Sequence, residues 1–144
     1  AQRLVRVLCK HCKQVDDSPA ARAFKVQVGI PANTTIYRSV GCGECRQTGF
    51  FGRQAIFEWM DSNNEIRELI LKNSSSDIVR DAARRAGMRT LAEDGWRVVR
   101  LGVTTVEEVL SVTTAKEVAR THKSAAPKVT PEDLAMDSAA LSRA

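Results

Sequence analysis

The four cysteines of this 144-residue chain fall as two CxxC pairs, Cys9-Lys10-His11-Cys12 and Cys42-Gly43-Glu44-Cys45. This placement constrains the fold more than any other feature. Two residues between cysteines let both sulfurs turn inward on one tight loop. Two such loops facing each other offer four thiolates at the corners of a tetrahedron, the geometry Zn²⁺ accepts with Zn–S near ~2.3 Å. The separation between the pairs exceeds that of a usual zinc ribbon. Loop closure costs grow slowly with length, so the separation says only that something folded lies between the pairs. The spacing predicts a structural zinc site with Cys9, Cys12, Cys42 and Cys45 as ligands.

Other readings of these cysteines are weaker. A redox CxxC pair wants a reactive thiol at a helix N-terminus in a βαβ setting. Here Cys9 follows an apolar run that reads as helical, which would put it at a helix C-terminus, where the dipole disfavours a thiolate without a metal. Structural disulfides suit secreted chains, and no signal peptide is visible. His11 lies inside the first loop and is left unassigned as a ligand. Lys10, Lys13 and Arg46 flank the loops; they either soften the charge of a four-thiolate centre or are simply solvated.

The length suits one domain with one moderate core. Hydrophobic residues make up 43% and charged residues 27%, as in ordinary soluble proteins. No apolar run approaches the ~20 residues a membrane span needs, so no direct membrane insertion is expected. The formal charge of +5 permits contact with nucleic acid or acidic lipid without arguing for it. Reduced, metal-bound cysteines fit a cytoplasmic location. The chain lacks an initiator Met and opens inside a helix-like pattern, which is the expectation for a piece of a longer protein.

Along the chain, residues 1–8 read as the end of a helix, with Leu4 and Leu8 on one face. Ser18-Pro19 predicts a helix start, and a helix to about Val28 would stop at Gly29, although Lys25–Val28 also alternates as a strand does. Thr35–Val40 reads as a short strand. Gly41, Gly43, Gly49 and Gly52 crowd the second cysteine loop, supplying the φ > 0 positions that a tight metal loop needs. They do not form a phosphate loop, since GxxxxGK[ST] is absent. Arg53–Met60 reads as a strand. Four helices then follow. Ser62 with Glu65, Thr90 with Glu93 and Thr104 with Glu107 form capping boxes, and Ser76 caps the remaining helix. Gly87 and Gly102 serve as stops. The expected inward stripes are Ile66, Leu69 and Ile70; Ile78, Val79, Ala82 and Ala83; Leu91, Val98 and Val99; and Val106, Val109 and Leu110. Gly95 on an apolar helix face costs about 1 kcal/mol of propensity and predicts close packing by another element. Arg80, Arg84, Arg85, Arg89, Arg97 and Arg100 read as the wet side of a bundle, with an acidic-partner surface as the alternative. From about Ala115 the pattern loosens into a tail, where Thr130-Pro131-Glu132-Asp133 could start a short helix carrying Leu134 and Leu141.

The expected fold is therefore α+β. A zinc-bound loop and strand module (residues 9–60) is followed by a four-helix C-terminal bundle (61–113) and a loosely ordered tail (114–144).

An ordered set of residues carries a family resemblance. It runs Ala1-Gln2-Arg3-Leu4-Val5-Arg6, Cys9-x-x-Cys12, Tyr37-Arg38, Gly41-Cys42-x-x-Cys45, Thr48-Gly49-Phe50-x-Gly52-Arg53 and Ile56-Phe57-Glu58. It continues through Glu65-Ile66-Arg67, Gly87-Met88-Arg89-Thr90-Leu91 with Glu93-Asp94-Gly95, and Thr104-Thr105-x-Glu107-Glu108-Val109. This resembles the C-terminal part of the secretion and pilus-assembly ATPases, the GspE/PilB family of type II secretion and type IV pilus systems, over roughly residues 1–113. The resemblance implies that residues 1–8 end a helix of the ATPase core. It implies a cytoplasmic, ring-forming parent, a homo-hexamer working on an inner-membrane platform protein. ATP and Mg²⁺ would bind only in that full-length parent, and no catalytic residue carries over to this chain. The four cysteines carry over as the metal site, and a Zn(Cys)₄ centre would stiffen a loop-rich arm at the edge of the ring.

Rival readings come from other classes. A free-standing zinc module on nucleic acid would want basic residues interleaved with exposed aromatics beside the loops, whereas the arginines lie on the helices. A DnaJ-like zinc domain would repeat CxxCxGxG, and the first pair here lacks those glycines. A catalytic zinc enzyme keeps an open coordination position, which four cysteines would close.

Overall fold

In the computed structural model, which describes residues 1–113, the first segment is a strand and not the helix expected for residues 1–8. Strand β1 (Gln2–Leu8) pairs antiparallel with β4 (Phe50–Phe57), with Arg3 opposite Ile56 and Val5 opposite Gln54. The register shifts between Arg6 and Leu8. Such a bulge changes the alternation of faces, so Val5 and Leu8, three residues apart, are both buried while Leu4 is half exposed. That three-residue spacing mimics a helical stripe. Cys9 consequently follows a strand, and the dipole argument made for it does not apply.

Between the cysteine pairs lie β2 (Gln14–Val15), α1 (Pro19–Val28) and β3 (Tyr37–Arg38). Helix α1 has the expected ends. The Ser18 hydroxyl accepts from the Ala21 N–H, Pro19 stands in the first turn, and Gly29 closes the helix at φ +70°. Strands β2 and β3 pair through Gln14 with Arg38 and Val15 with Tyr37.

Four helices follow, α2 (Asn64–Leu71), α3 (Ser76–Arg85), α4 (Leu91–Arg100) and α5 (Val106–Val112). Their starts differ from expectation by one residue in three cases. Asn63, not Ser62, caps α2 by accepting from the Ile66 N–H, and the Glu65 carboxylate reaches Arg85 instead. Ser75 takes the N-cap position of α3. Thr105, not Thr104, caps α5, because the Thr104 hydroxyl is buried and donates to the Arg6 carbonyl at 2.8 Å. The Thr90–Glu93 capping box of α4 is present as expected.

The helices divide between two apolar clusters. Ile66, Ala82 and Ala83 join α2 to α3, with Leu69, Val79 and Met88 beside them. Ile70, Ile78 and Leu110, expected inside, point outward. The larger cluster joins both strand and helix contributions, among them Val5, Ala21, Ile36, Ile56, Trp96 and Val109. Within it the Phe24 ring of α1 meets Trp96 of α4 edge-on, with centroids 5.0 Å apart. The segment between the cysteine pairs is thus packed into the main core and does not stand off as an arm. Residues 114–144, with the expected tail and its Thr130–Asp133 helix start, lie outside the described residues.

Carboxylates from the helices close parts of both sheet edges. The Phe57 N–H of β4 donates to Asp94 Oδ2 at 3.0 Å, and the Arg6 N–H of β1 donates to Glu108 Oε2 at 3.0 Å. Glu58 accepts from the Leu91 N–H at the start of α4. These bonds satisfy edge N–H groups that the two-stranded ladder leaves unpaired.

Gly95 is where α4 meets α5, and a Cβ there would overlap Val109. Gly95→Ala adds helix propensity of about 1 kcal/mol, but overpacking costs about 1–3 kcal/mol. The substitution is expected to lower the urea midpoint, and a second change, Val109→Ala, is expected to restore part of the loss.

The Arg6 side chain hydrogen-bonds to Glu108 and holds its carboxyl below the usual carboxylate range, with burial opposing. A lowered pKa gives stability above the unfolded value and loses it as pH falls through the folded one. Glu108→Gln is therefore expected to destabilise the chain at neutral pH. Its deficit in urea midpoint should shrink as pH drops below the ordinary Glu value of about 4.3.

Candidate metal centre

The antiparallel ladder builds the site. Strand β1 runs directly into the first cysteine loop, and the second loop runs directly into β4. The Cys9 N–H donates to the Gly49 carbonyl at 3.0 Å, extending the ladder between the two loops. The four sulfurs then lie within 4.8 Å of one another. Cys9–Cys42 and Cys12–Cys45 are each 3.8 Å apart and Cys42–Cys45 is 3.7 Å apart. A tetrahedron with metal–sulfur bonds of ~2.3 Å has edges of about 3.8 Å. A disulfide needs ~2.05 Å, and all four thiols are free. The expected ligand set is therefore brought together, and its donors fit a soft or borderline divalent ion. His11 is exposed and outside the cluster.

Backbone N–H groups surround the sulfurs. Gly41 donates to Cys12 Sγ at 3.3 Å, while Cys42 and Gly49 donate to Cys45 Sγ at 3.1 and 3.2 Å. Burial works against the Cys45 thiolate, yet these two donors with help from neighbouring thiols bring its pKa down to about 6. Burial pushes Cys12 up to about 11, against the Gly41 donor and with the neighbouring thiols adding to the rise. The backbone donors thus favour the thiolate at Cys45, and a metal held by the set would have to displace the remaining thiol protons.

The second loop is held in an unusual backbone shape. Arg46 and Gln47 have φ of 52° and 65°, a region non-glycine residues seldom adopt. The Gln47 N–H reaches the Cys42 carbonyl at 2.8 Å, and the Thr48 hydroxyl reaches the Cys45 carbonyl at 2.6 Å. Gly49 sits at φ +76°, and a Cβ there would lie 2.6 Å from Ser39 Cβ. The clustering of glycines pointed to this loop. By contrast, nothing in the sequence connects Lys13 with Gly102, yet the Lys13 ammonium donates to the Gly102 carbonyl at 2.9 Å.

The family described as Type II/IV secretion system protein matches residues 1–111. The chain belongs to that family. It is 42% identical over 113 residues to the type II secretion system protein HxcR of Pseudomonas aeruginosa, covering 78% of this chain and 20% of that protein. It is 40% identical over 115 residues to the type IV pilus assembly ATPase PilB of Thermus thermophilus, covering 78% of this chain and 13% of that protein. A similar match, 40% over 112 residues, joins it to the protein transport protein HofB homolog of Escherichia coli, at 78% and 23% coverage. The chain thus spans about a fifth of the length of HxcR. Among the described residues no helix is long and apolar enough to cross a membrane.

Gly49→Ala is expected to cost about 1–3 kcal/mol, the range for forced overpacking, through both its clash with Ser39 and its positive φ. Urea unfolding should register the loss. Gly43, where a Cβ meets nothing within 4 Å, should accept alanine with little change.

Proposed function

We propose that this chain is the metal-binding and helical region of a secretion or pilus-assembly ATPase, and that Cys9, Cys12, Cys42 and Cys45 hold one structural Zn²⁺. The observation that carries the reading is the set of four sulfurs at tetrahedral spacing in a member of a family whose relatives include a protein named as a pilus assembly ATPase. Zinc is the ion of choice because four thiolates in a closed tetrahedron suit a d¹⁰ ion with no redox chemistry. Such a centre contributes on the order of 10 kcal/mol of apparent folding free energy in small modules.

In this reading nucleotide chemistry belongs to the rest of the parent protein, where ATP and Mg²⁺ bind. The parent works in the cytoplasm as a homo-hexameric ring against an inner-membrane platform protein. This region transmits motion. The packing of α1 on α4 supports that role, because force applied at the cysteine loops meets a shared core and not a flexible tether. The exposed apolar side chains Leu4, Phe57 and Trp59 on and after the β1–β4 sheet suit a region that sits within a larger assembly.

The nucleic-acid reading gains little. Arg80, Arg84, Arg85 and Arg97 are engaged with Asp77, Glu93, Glu65 and Asp94.

Purified chain is expected to carry one zinc per molecule by elemental analysis, with the thiols slow to react until a chelator is added. Cys42→Ser should release the metal and raise amide exchange across residues 9–52. In the full-length parent the same substitution should impair secretion or pilus assembly more than ATP hydrolysis. Undiminished ATP-driven secretion by a zinc-free variant would refute the force-transmitting role.

A further inference from the structure

Two residues bracket the first cysteine loop, Leu8 before it and Lys13 after it, and both reach the same place. The Leu8 N–H donates to the Val103 carbonyl at 2.8 Å, and the Lys13 ammonium donates to the Gly102 carbonyl at 2.9 Å. Gly102 and Val103 form the turn between α4 and α5. We infer that Lys13 is a positioning residue that couples metal occupancy of the four-sulfur site to the conformation of the α4–α5 turn. The inference rests on the reading that the cysteines hold a metal.

Lys13 is connected on three sides. Its own N–H donates to the Cys9 carbonyl at 3.1 Å, so the shape of the Cys9–Cys12 loop fixes where its side chain starts. Its ammonium lies 4.5 Å from the centroid of the Tyr37 ring, a cation–π distance. Tyr37 belongs to β3, which leads toward the second cysteine pair and is paired with β2 immediately after Lys13. The turn has no slack against that ring. Gly102 adopts φ +67°, and a Cβ there would sit 2.7 Å from Tyr37 Cε2. The C-terminal end of α4 is also where a helix dipole favours a cation. Lys13 thus touches the first loop, the strand leading toward the second, and the turn.

A metal drawing Cys9 and Cys12 toward Cys42 and Cys45 fixes the origin of the Lys13 side chain and the seat of Tyr37 together. Without that constraint the loops are held by the backbone ladder alone, and the ammonium bond to the Gly102 carbonyl is held less tightly. The position of the turn also sets α5, whose Glu108 is tied to Arg6 of β1. Coupling of this kind is reciprocal, so disturbing the turn must weaken metal binding by the factor by which metal orders the turn.

The test uses the full 144-residue chain, loaded with zinc or stripped by EDTA. Amide exchange is followed on peptides covering residues 101–105, and zinc affinity is measured by competition with a chromophoric chelator. In the unmodified chain zinc is expected to slow exchange of this turn about tenfold, within the usual range of coupling. Lys13→Met keeps the aliphatic stem beside Tyr37 and removes the donor; it should weaken zinc binding about five- to tenfold and uncouple the turn from zinc. Gly102→Ala approaches from the other side by displacing Tyr37, and should weaken zinc binding similarly even if Lys13→Met fails to fold. Lys72→Met, whose lysine pairs with exposed Glu68, serves as the control and should change neither readout. A chain that binds one zinc while residues 101–105 exchange at the same rate with and without it overturns the inference alone. So does full zinc affinity in both Lys13→Met and Gly102→Ala. A chain that binds no zinc overturns the inference and the metal reading together.

Discussion

The antiparallel pairing of β1 with β4 is the constraint from which the rest of the arrangement follows. Its two strands come from opposite ends of a long stretch, and each is continuous with one cysteine loop. Once Val5 faces Gln54 and Leu8 faces Phe50, the loops have no freedom to be anywhere but side by side. The Cys9–Gly49 hydrogen bond is the ladder's last rung and the first link of the four-sulfur cluster. A two-stranded sheet is marginal by itself in water. Here it is supported by α4 and α5, whose side chains fill its inner face and whose carboxylates occupy parts of its edges.

Those carboxylates give the helical region a second purpose. Asp94 receives the Phe57 N–H and the Arg97 side chain, and Glu93 serves both its own capping box and Arg84 of α3. Both acids are largely buried. A charge in that position is tolerated because its lone pairs are filled, and removing one partner leaves the other without compensation. Arg84–Glu93 is also a side-chain bridge between the α2–α3 pair and the main core. Among the described residues the two buried apolar clusters are separate, so this ion pair is one of the links between these two helices and the body.

Much of the site was legible because its chemistry lies in a rare residue at fixed spacing. Cysteines with two residues between them, glycines around the second pair, and a Ser-Pro start with a Gly stop for α1 each narrow the choices sharply. Gly95 could be read as a contact point because it sits badly in an otherwise apolar helix face. The differences have separate physical causes. In Ser62-Asn63, Ser74-Ser75-Ser76 and Thr104-Thr105, adjacent residues are equally able to cap, so local sequence does not choose between them. At Thr104 the choice is made by the Arg6 carbonyl. Strand β1 was misread because a bulge turned its inward residues into a helical spacing. The Lys13–Gly102 bond left no local trace, since its partners are far apart in sequence and meet only when the sheet and α4 are both in place.

The ladder joins segments about fifty residues apart, and this has a consequence for how the protein comes into being. Contacts between distant parts of a chain form late, because closure must precede any reward. On a growing polypeptide the first cysteine pair emerges well before its counterpart and offers an ion only two sulfurs. The four-sulfur cluster is complete only when β4 has been made and has found β1. If the proposed zinc site is correct, ion capture is a terminal step of maturation, one that seals a topology the backbone has already chosen.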